Sequence, residues 1–217
     1  MPNDDAKIAP FIVRTLLFVG VILAVAAFPE HAQSAQPCKF ATTRAESPAG
    51  NCLDRESSPY LLAHAKDPVN WRPWSQDALD EARVTGRLIF LSIGYSACHW
   101  CHVMQRDNFE DADTARLMNR HYVNVLIDRE ERPDIDQRYQ MAATAMDFPT
   151  GWPLNLVLTP EGLPIFAGTY FPPEQRQGMP AFSKILRTCA KIKREDPDAL
   201  AAQSSKVVAY LQNVAAT

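Results

Sequence analysis

A chain of 217 residues, 47% apolar and 22% charged, has room for one well-buried domain with extensions. Its formal net charge of −3 comes with no basic face that could follow a phosphate backbone, which argues against a nucleic-acid partner. Five cysteines, an odd number, leave at least one thiol outside any set of intrachain disulfides.

The first residues have the layout of an export signal. Lys7 and Arg14 precede the apolar stretch Thr15 to Phe28, and small residues follow around Ala32, Ser34 and Ala35, where a peptidase could cut. Residues 1–34 therefore read as a signal peptide cleaved after Ser34 or Ala35, or as an uncleaved anchor if Arg14 snorkels to the interface. Membrane attachment is expected only in the second case. Either way the expected location is secreted or periplasmic, where disulfides persist.

Residues 35–58 are rich in Ser, Thr, Pro, Gly and Ala and read as an extended lead. Cys38 and Cys52 sit in it; a structural disulfide between them would close a loop of about 15 residues, worth about 3 kcal/mol in the chain-entropy model. The alternative is a second redox pair. From Ser58 to Trp74, Pro59, Pro68 and Pro73 rule out one continuous helix, so Tyr60, Leu61, Leu62, Trp71 and Trp74 are expected to pack as a collar on the core. His64 reads as a packed residue rather than a ligand.

Ser75 is a helix cap, and the helix it opens stops at Gly86. Leu88 to Ile93 is almost wholly apolar, as a central strand covered on both faces should be. It runs into Tyr95, Cys98, His99, Trp100, Cys101 and His102, with a helix continuing through Met104. Two thiols at i and i+3 on a first helical turn lie on one face, within reach of a disulfide. Asp111 to His121 predicts another helix and Tyr122 to Asp128 a second strand, so a parallel crossover is expected. The charge-dense segment from Asp128 becomes helical near Ile135, its charges largely a solvated surface. Leu154 to Leu158 and Leu163 to Ala167 predict a hairpin about Thr159-Pro160-Glu161-Gly162. From Met179 onward the pattern gives two helices broken near Pro197, with Cys189 a small buried hydrophobe on the first.

The order of elements, with a CxxC at a strand end and Trp152-Pro153 before a terminal hairpin, resembles a thioredoxin fold. Four blocks, SPYLLAHAKDPVNWRPW, FLSIGYSACHWCHVM, DREERPDID and GWPLNLVLTPEGLPIFAGTYFPP, more specifically resemble the thioredoxin-like domain of the spermatogenesis-associated protein family, from about Asn51 to Arg187. The resemblance implies an α/β thioredoxin-like domain over residues 59–217: a central mixed sheet flanked by helices, behind an N-terminal extension. It also implies that Pro153 is cis and lies against Cys98 and Cys101. Longer family members continue into a large helical toroid that is not found in this sequence, and Cys52 stands where the family more often has a basic residue.

In that frame the chain is expected to be an exported thiol–disulfide oxidoreductase, with protein thiols or disulfides and a redox recycling partner as its partners. Cys98 is the exposed nucleophile and Cys101 the resolving thiol. His99 and His102 can favour the Cys98 thiolate when protonated, and Tyr95, Trp100 and Trp152 shape a groove where a peptide could add as a strand. Thioredoxin keeps a buried carboxylate six residues before its first cysteine, and here that position is Ser92. Three alternatives stand beside this reading. Cys98 to His102 matches a CxxCH haem attachment with His102 as axial ligand, although an apolar strand entering the motif is foreign to small all-helical haem domains. Cys98, Cys101 and His102 could begin a metal site, but no second CxxC supplies a fourth ligand, so no metal and no cofactor are expected. A binding or assembly module that keeps the fold without turnover is the third.

Overall fold

The computed structural model describes residues 38–43, 50–198, 200, 202 and 205. The apolar stretch Thr15 to Phe28 and its cleavage site lie outside these residues, as does most of the helix expected after Pro197. Among the described residues no helix is long and apolar enough to cross a membrane.

In chain order the elements are α1 (Pro59–Ala63), β1 (Trp71–Pro73), α2 (Gln76–Thr85), β2 (Leu88–Gly94), α3 (His99–Met104), α4 (Ala112–His121), β3 (Tyr122–Asp128), α5 (Pro133–Ala145), β4 (Leu154–Leu158), β5 (Pro164–Gly168) and α6 (Phe182–Glu195). The strands form one mixed sheet in the order β1-β3-β2-β4-β5. β1, β3 and β2 run parallel, and the β4–β5 hairpin is antiparallel. Every residue of β2, β3 and β4 is buried, which is why those strands read as mostly apolar runs.

Each face of the sheet has its own core. Phe90, Tyr122, Leu126 and Val157 pack with Tyr60 and Leu61 of α1, Cys101 and Met104 of α3, Met118 of α4 and Phe182 and Leu186 of α6. Ile89, Leu91, Ile93, Val125 and Leu156 pack with Ala78 and Ala82 of α2 and Ile135 and Tyr139 of α5. This is a thioredoxin-like fold. The Ser75 hydroxyl accepts from the Ala78 N–H at the start of α2, an N-cap worth about 1 kcal/mol, and Gly86 ends the helix at φ 67°, a left-handed turn suited to glycine.

Three features depart from the pattern read in the sequence. β1 falls where a loop collar was expected, and of that collar Leu62 is exposed. Arg72, in the middle of β1, is buried because Glu81 of α2 meets it at 3.1 Å; Arg87 closes the cluster on the same carboxylate at 2.8 Å. A charged residue inside a strand breaks the alternation used to find strands. A π-helical turn, Gln105–Phe109, follows α3. In the charge-dense segment, Asp128 and Asp136 are buried, each held by donors, rather than solvated.

The lead is tied to the domain: Cys38 and Cys52 are disulfide-bonded with Cα atoms 5.2 Å apart. Arg72 donates to Gly50 O at 2.7 Å and Lys39 O at 3.3 Å, and the Cys52 N–H donates to Trp71 O at 2.9 Å.

Candidate functional site

β2 delivers its chain at Gly94 to a short turn, Tyr95 to Ala97, and α3 begins at once. Cys98 is the N-cap of α3: its Sγ accepts from the Cys101 N–H at 3.2 Å, and its own N–H donates to Tyr95 O at 3.1 Å. Cys98 and Cys101 form a disulfide with Cα atoms 5.3 Å apart. Cys98 is only 4% exposed and Cys101 1%, so the first sulfur is nearly as enclosed as the second, in contrast to the exposed nucleophile expected. The disulfide draws both sulfurs over the first turn of α3, into the core they share with Tyr60 and Met104.

The flanking side chains divide into two groups. Trp100 is 53% exposed and packs on Tyr170, ring centroids 5.1 Å apart, while the Tyr170 hydroxyl donates to Asp107 of the π-helical turn at 2.6 Å. Partial burial, then the Asp107 contact, push Tyr170 up to about 12. His99 is exposed; His102 is half-buried with Nε2 2.7 Å from Ser96 O, an engagement with the loop before the helix.

On the other side, the Trp152–Pro153 peptide bond is cis. Tyr95 packs edge-on against Trp152 at 5.9 Å, so the loop before Cys98 and the loop before β4 meet through these two rings. Arg129 lies over both, 3.8 Å from the Trp152 ring and 5.4 Å from that of Tyr95. Its N–H donates to Gly94 O at 2.9 Å, and its guanidinium is 3.5 Å from Asp136, which also accepts from the Trp152 indole N–H at 3.0 Å.

Beneath the disulfide, side chains alternate across β2, placing Ser92 on the same face as Phe90 and the cysteines. Ser92 is fully buried, and its Oγ has no hydrogen-bond partner among the described residues; nor has Oδ1 of Asn155, its register partner on β4. The carboxylate on this face is Asp128, opposite Gly94 in register, accepting from the Ser58 hydroxyl at 2.6 Å and the Glu130 N–H at 2.9 Å. Tyr60 lies alongside. A Cβ built on Gly94 would meet the Tyr60 hydroxyl and, at 2.7 Å, Cys101 Sγ, so hydroxyl and sulfur crowd the same glycine. Burial, then the charges of Asp128 and Asp67, push the Tyr60 hydroxyl far above the ordinary tyrosine range. His64 packs edge-on to Tyr60 at 5.0 Å, with Nδ1 2.7 Å from Asp67; Asp67 also accepts from Trp71 and Gln105, which braces the π-helical turn.

Tyr60, Arg129, Asp128, Asp136 and Tyr170 reach the site from other elements and escaped the sequence reading. The signal for Asp128 was a carboxylate ending an otherwise apolar strand. Among the described residues, no group of three or more His, Cys, Asp or Glu is placed to hold a metal.

The profile of the Thioredox_DsbH family, described as a protein of unknown function (DUF255), matches residues 50–212. This chain belongs to the Thioredox_DsbH family. An uncharacterized protein, B0495.5, of Caenorhabditis elegans is 43% identical over 162 residues, covering 75% of this chain and 22% of that protein. Spermatogenesis-associated protein 20 of Rattus norvegicus is 42% identical over 161 residues (74% and 20%), and that of Homo sapiens 43% identical over 161 residues (74% and 20%). The chain spans about a fifth of the length of these curated relatives. Similar solved structures are a DsbH oxidoreductase (TM-score 0.46, 18% identity, covering 66% of this chain and 96% of that one) and a thioredoxin from Thermus thermophilus (TM-score 0.44, 20% identity, 58% and 89%). For this member of the family, fold and CxxC pair stand together: a thioredoxin-like domain with Cys98 and Cys101 at disulfide distance.

Proposed function

We propose that this chain is a thiol–disulfide oxidoreductase that exchanges disulfides with protein partners through Cys98 and Cys101. The carrying observation is the Cys98–Cys101 disulfide at the start of α3, with Tyr95 joining its loop to the Trp152–Pro153 loop. In the reducing direction, the Cys98 thiolate attacks a partner disulfide; a Cys98–partner bond forms and one partner thiolate leaves. The Cys101 thiolate then attacks Cys98 Sγ, re-forming the internal disulfide and releasing the second partner thiolate, so two electrons pass to the partner. The oxidising direction is the reverse. An unidentified redox partner resets the pair. Trp100, Tyr95 and Trp152 supply apolar surface to the partner, and His99, beside Cys98, is a site-tuning group together with His102.

Export is part of the proposal. The Cys38–Cys52 bridge supports it, because a disulfide that only ties a lead to a domain persists in an oxidising compartment. The haem and metal readings find less support: the two sulfurs are bonded to each other and His102 Nε2 is engaged by Ser96 O.

The test is covalent trapping. Reduced Cys101→Ser, mixed with a disulfide-bonded peptide, accumulates an adduct at Cys98, and Cys98→Ser accumulates none; equal or absent adducts overturn the proposal. Absent adducts would favour a binding module without turnover, for which the enclosure of Cys98 and the lack of a carboxylate at Ser92 are the supporting observations.

A further inference from the structure

Cys101 is buried, and to resolve a mixed disulfide it must become a thiolate. Neither Ser92 nor His102 is placed to help it. Ser92 is a short neutral hydroxyl, and the His102 ring is turned to the Ser96 carbonyl. The polar atom that shares the space over Gly94 with Cys101 Sγ is the hydroxyl of Tyr60, which comes from α1 far upstream in the sequence.

 Tyr60 is the second residue of α1, and α1 is capped by Ser58, whose hydroxyl also donates to Asp128. The groups that face Tyr60 are Asp128 from β3, Asp67 and His64 from the end of α1 and the loop after it, and Cys101 from α3. Two carboxylates and a buried setting keep this hydroxyl protonated, so it is a standing donor and not a base.

We infer that Tyr60 is a positioning residue for the resolving step, its hydroxyl donating a hydrogen bond to Cys101 Sγ as the thiolate forms. This rests on the exchange reaction proposed above and assigns a residue to it. The Cys101 proton leaves to solvent, the thiolate's electron pair forms the bond to Cys98 Sγ, and the Cys98–partner bond breaks with its pair going to the partner sulfur. Tyr60 keeps its own proton throughout. Gly94 is the residue that makes the approach possible, since any side chain there would stand between hydroxyl and sulfur.

The experiment uses the full chain carrying Cys98→Ser, in which Cys101 is a lone thiol, with and without Tyr60→Phe. Iodoacetamide alkylation of Cys101, followed by peptide mass across a pH series, gives its titration midpoint independently of Cys189. Loss of one hydrogen bond to a charged sulfur is expected to raise the midpoint by about one pH unit, or about tenfold in rate below both midpoints. Superimposable profiles overturn the inference. Circular dichroism of Tyr60→Phe confirms that the fold is kept; if it is not, 3-fluorotyrosine incorporated at position 60 provides the second arm, and its expected effect is a lower Cys101 midpoint, because a more acidic hydroxyl donates a stronger hydrogen bond to the thiolate. An unchanged midpoint there also overturns the inference. Because no partner disulfide is used, the result is separate from the trapping test: the trapping test can fail while the midpoint shifts, and the reverse.

Discussion

Arg129 lays its guanidinium 3.8 Å over the indole of Trp152 and donates its backbone N–H to Gly94, joining the end of β3 to both loops of the candidate site. A cation over an aromatic face is worth about 0.5–2 kcal/mol, rising with desolvation. Arg129→Ala is expected to lower stability by about 1–2 kcal/mol in urea unfolding and to change the tryptophan emission of the folded state. Arg129→Lys should recover only part of the loss, since an ammonium lacks the planar fork that stacks. Equal stability of all three proteins would count against a structural role for the stack.

Gly94 has no room for a side chain. A methyl group there meets Cys101 Sγ at 2.7 Å and the Tyr60 hydroxyl as well. Gly94→Ala is therefore expected to cost about 1–3 kcal/mol through overpacking. The readout is the denaturant midpoint of the oxidised protein; a midpoint equal to that of the unaltered chain would refute the close approach.

Glu81 holds two cations at once, Arg72 at 3.1 Å and Arg87 at 2.8 Å, and Arg72 is buried. Removing the carboxylate leaves a buried guanidinium without its counter-charge, so Glu81→Ala is expected to cost about 3–5 kcal/mol. Chemical unfolding measures it, and a loss below about 1 kcal/mol would place the pair in the weak class of surface bridges.

Cys189 gives a pH dependence of known sign. Burial raises this thiol from 9.0 to about 11 in the fold. A group raised on folding favours the native state below its unfolded value, and that contribution fades as pH climbs from 9.0 towards 11. The unaltered chain should lose stability over this range more steeply than Cys189→Ala. Native Cys189 should also resist iodoacetamide at neutral pH and react once urea unfolds the chain; equal slopes and ready native labelling would contradict the burial argument.

Most of the fold was legible because β2, β3 and β4 are buried on both faces and spell mostly apolar runs, and because Ser75 and Gly86 bracket α2 with its cap and stop. β1 was hidden by Arg72, whose burial depends on Glu81 in another element. The same cause limited the site. Cys98 and Cys101 announce themselves by spacing alone, whereas Tyr60, Asp128 and Arg129 gain their roles only when α1 and the end of β3 are brought to Gly94. Local pattern does not encode contacts of that kind. Asp128 and Asp136 are the buried exceptions in a segment read as largely solvated, for the same reason, since their donors come from Ser58 and Trp152.

The lead bound along β1 has a consequence for how copies of this chain meet. β1 and β5 are the lateral strands of the sheet, where unpaired backbone groups invite a second chain to add on. On the β1 side, Cys52 already spends its N–H on Trp71 O, and the Cys38 linkage and Arg72 hold the lead there. On the β5 side, the strand opens with Pro164, which has no N–H to offer. The disulfide at Cys38 and Cys52 thus helps to cover the β1 edge, leaving fewer unpaired backbone groups there for a second copy of the chain to add to.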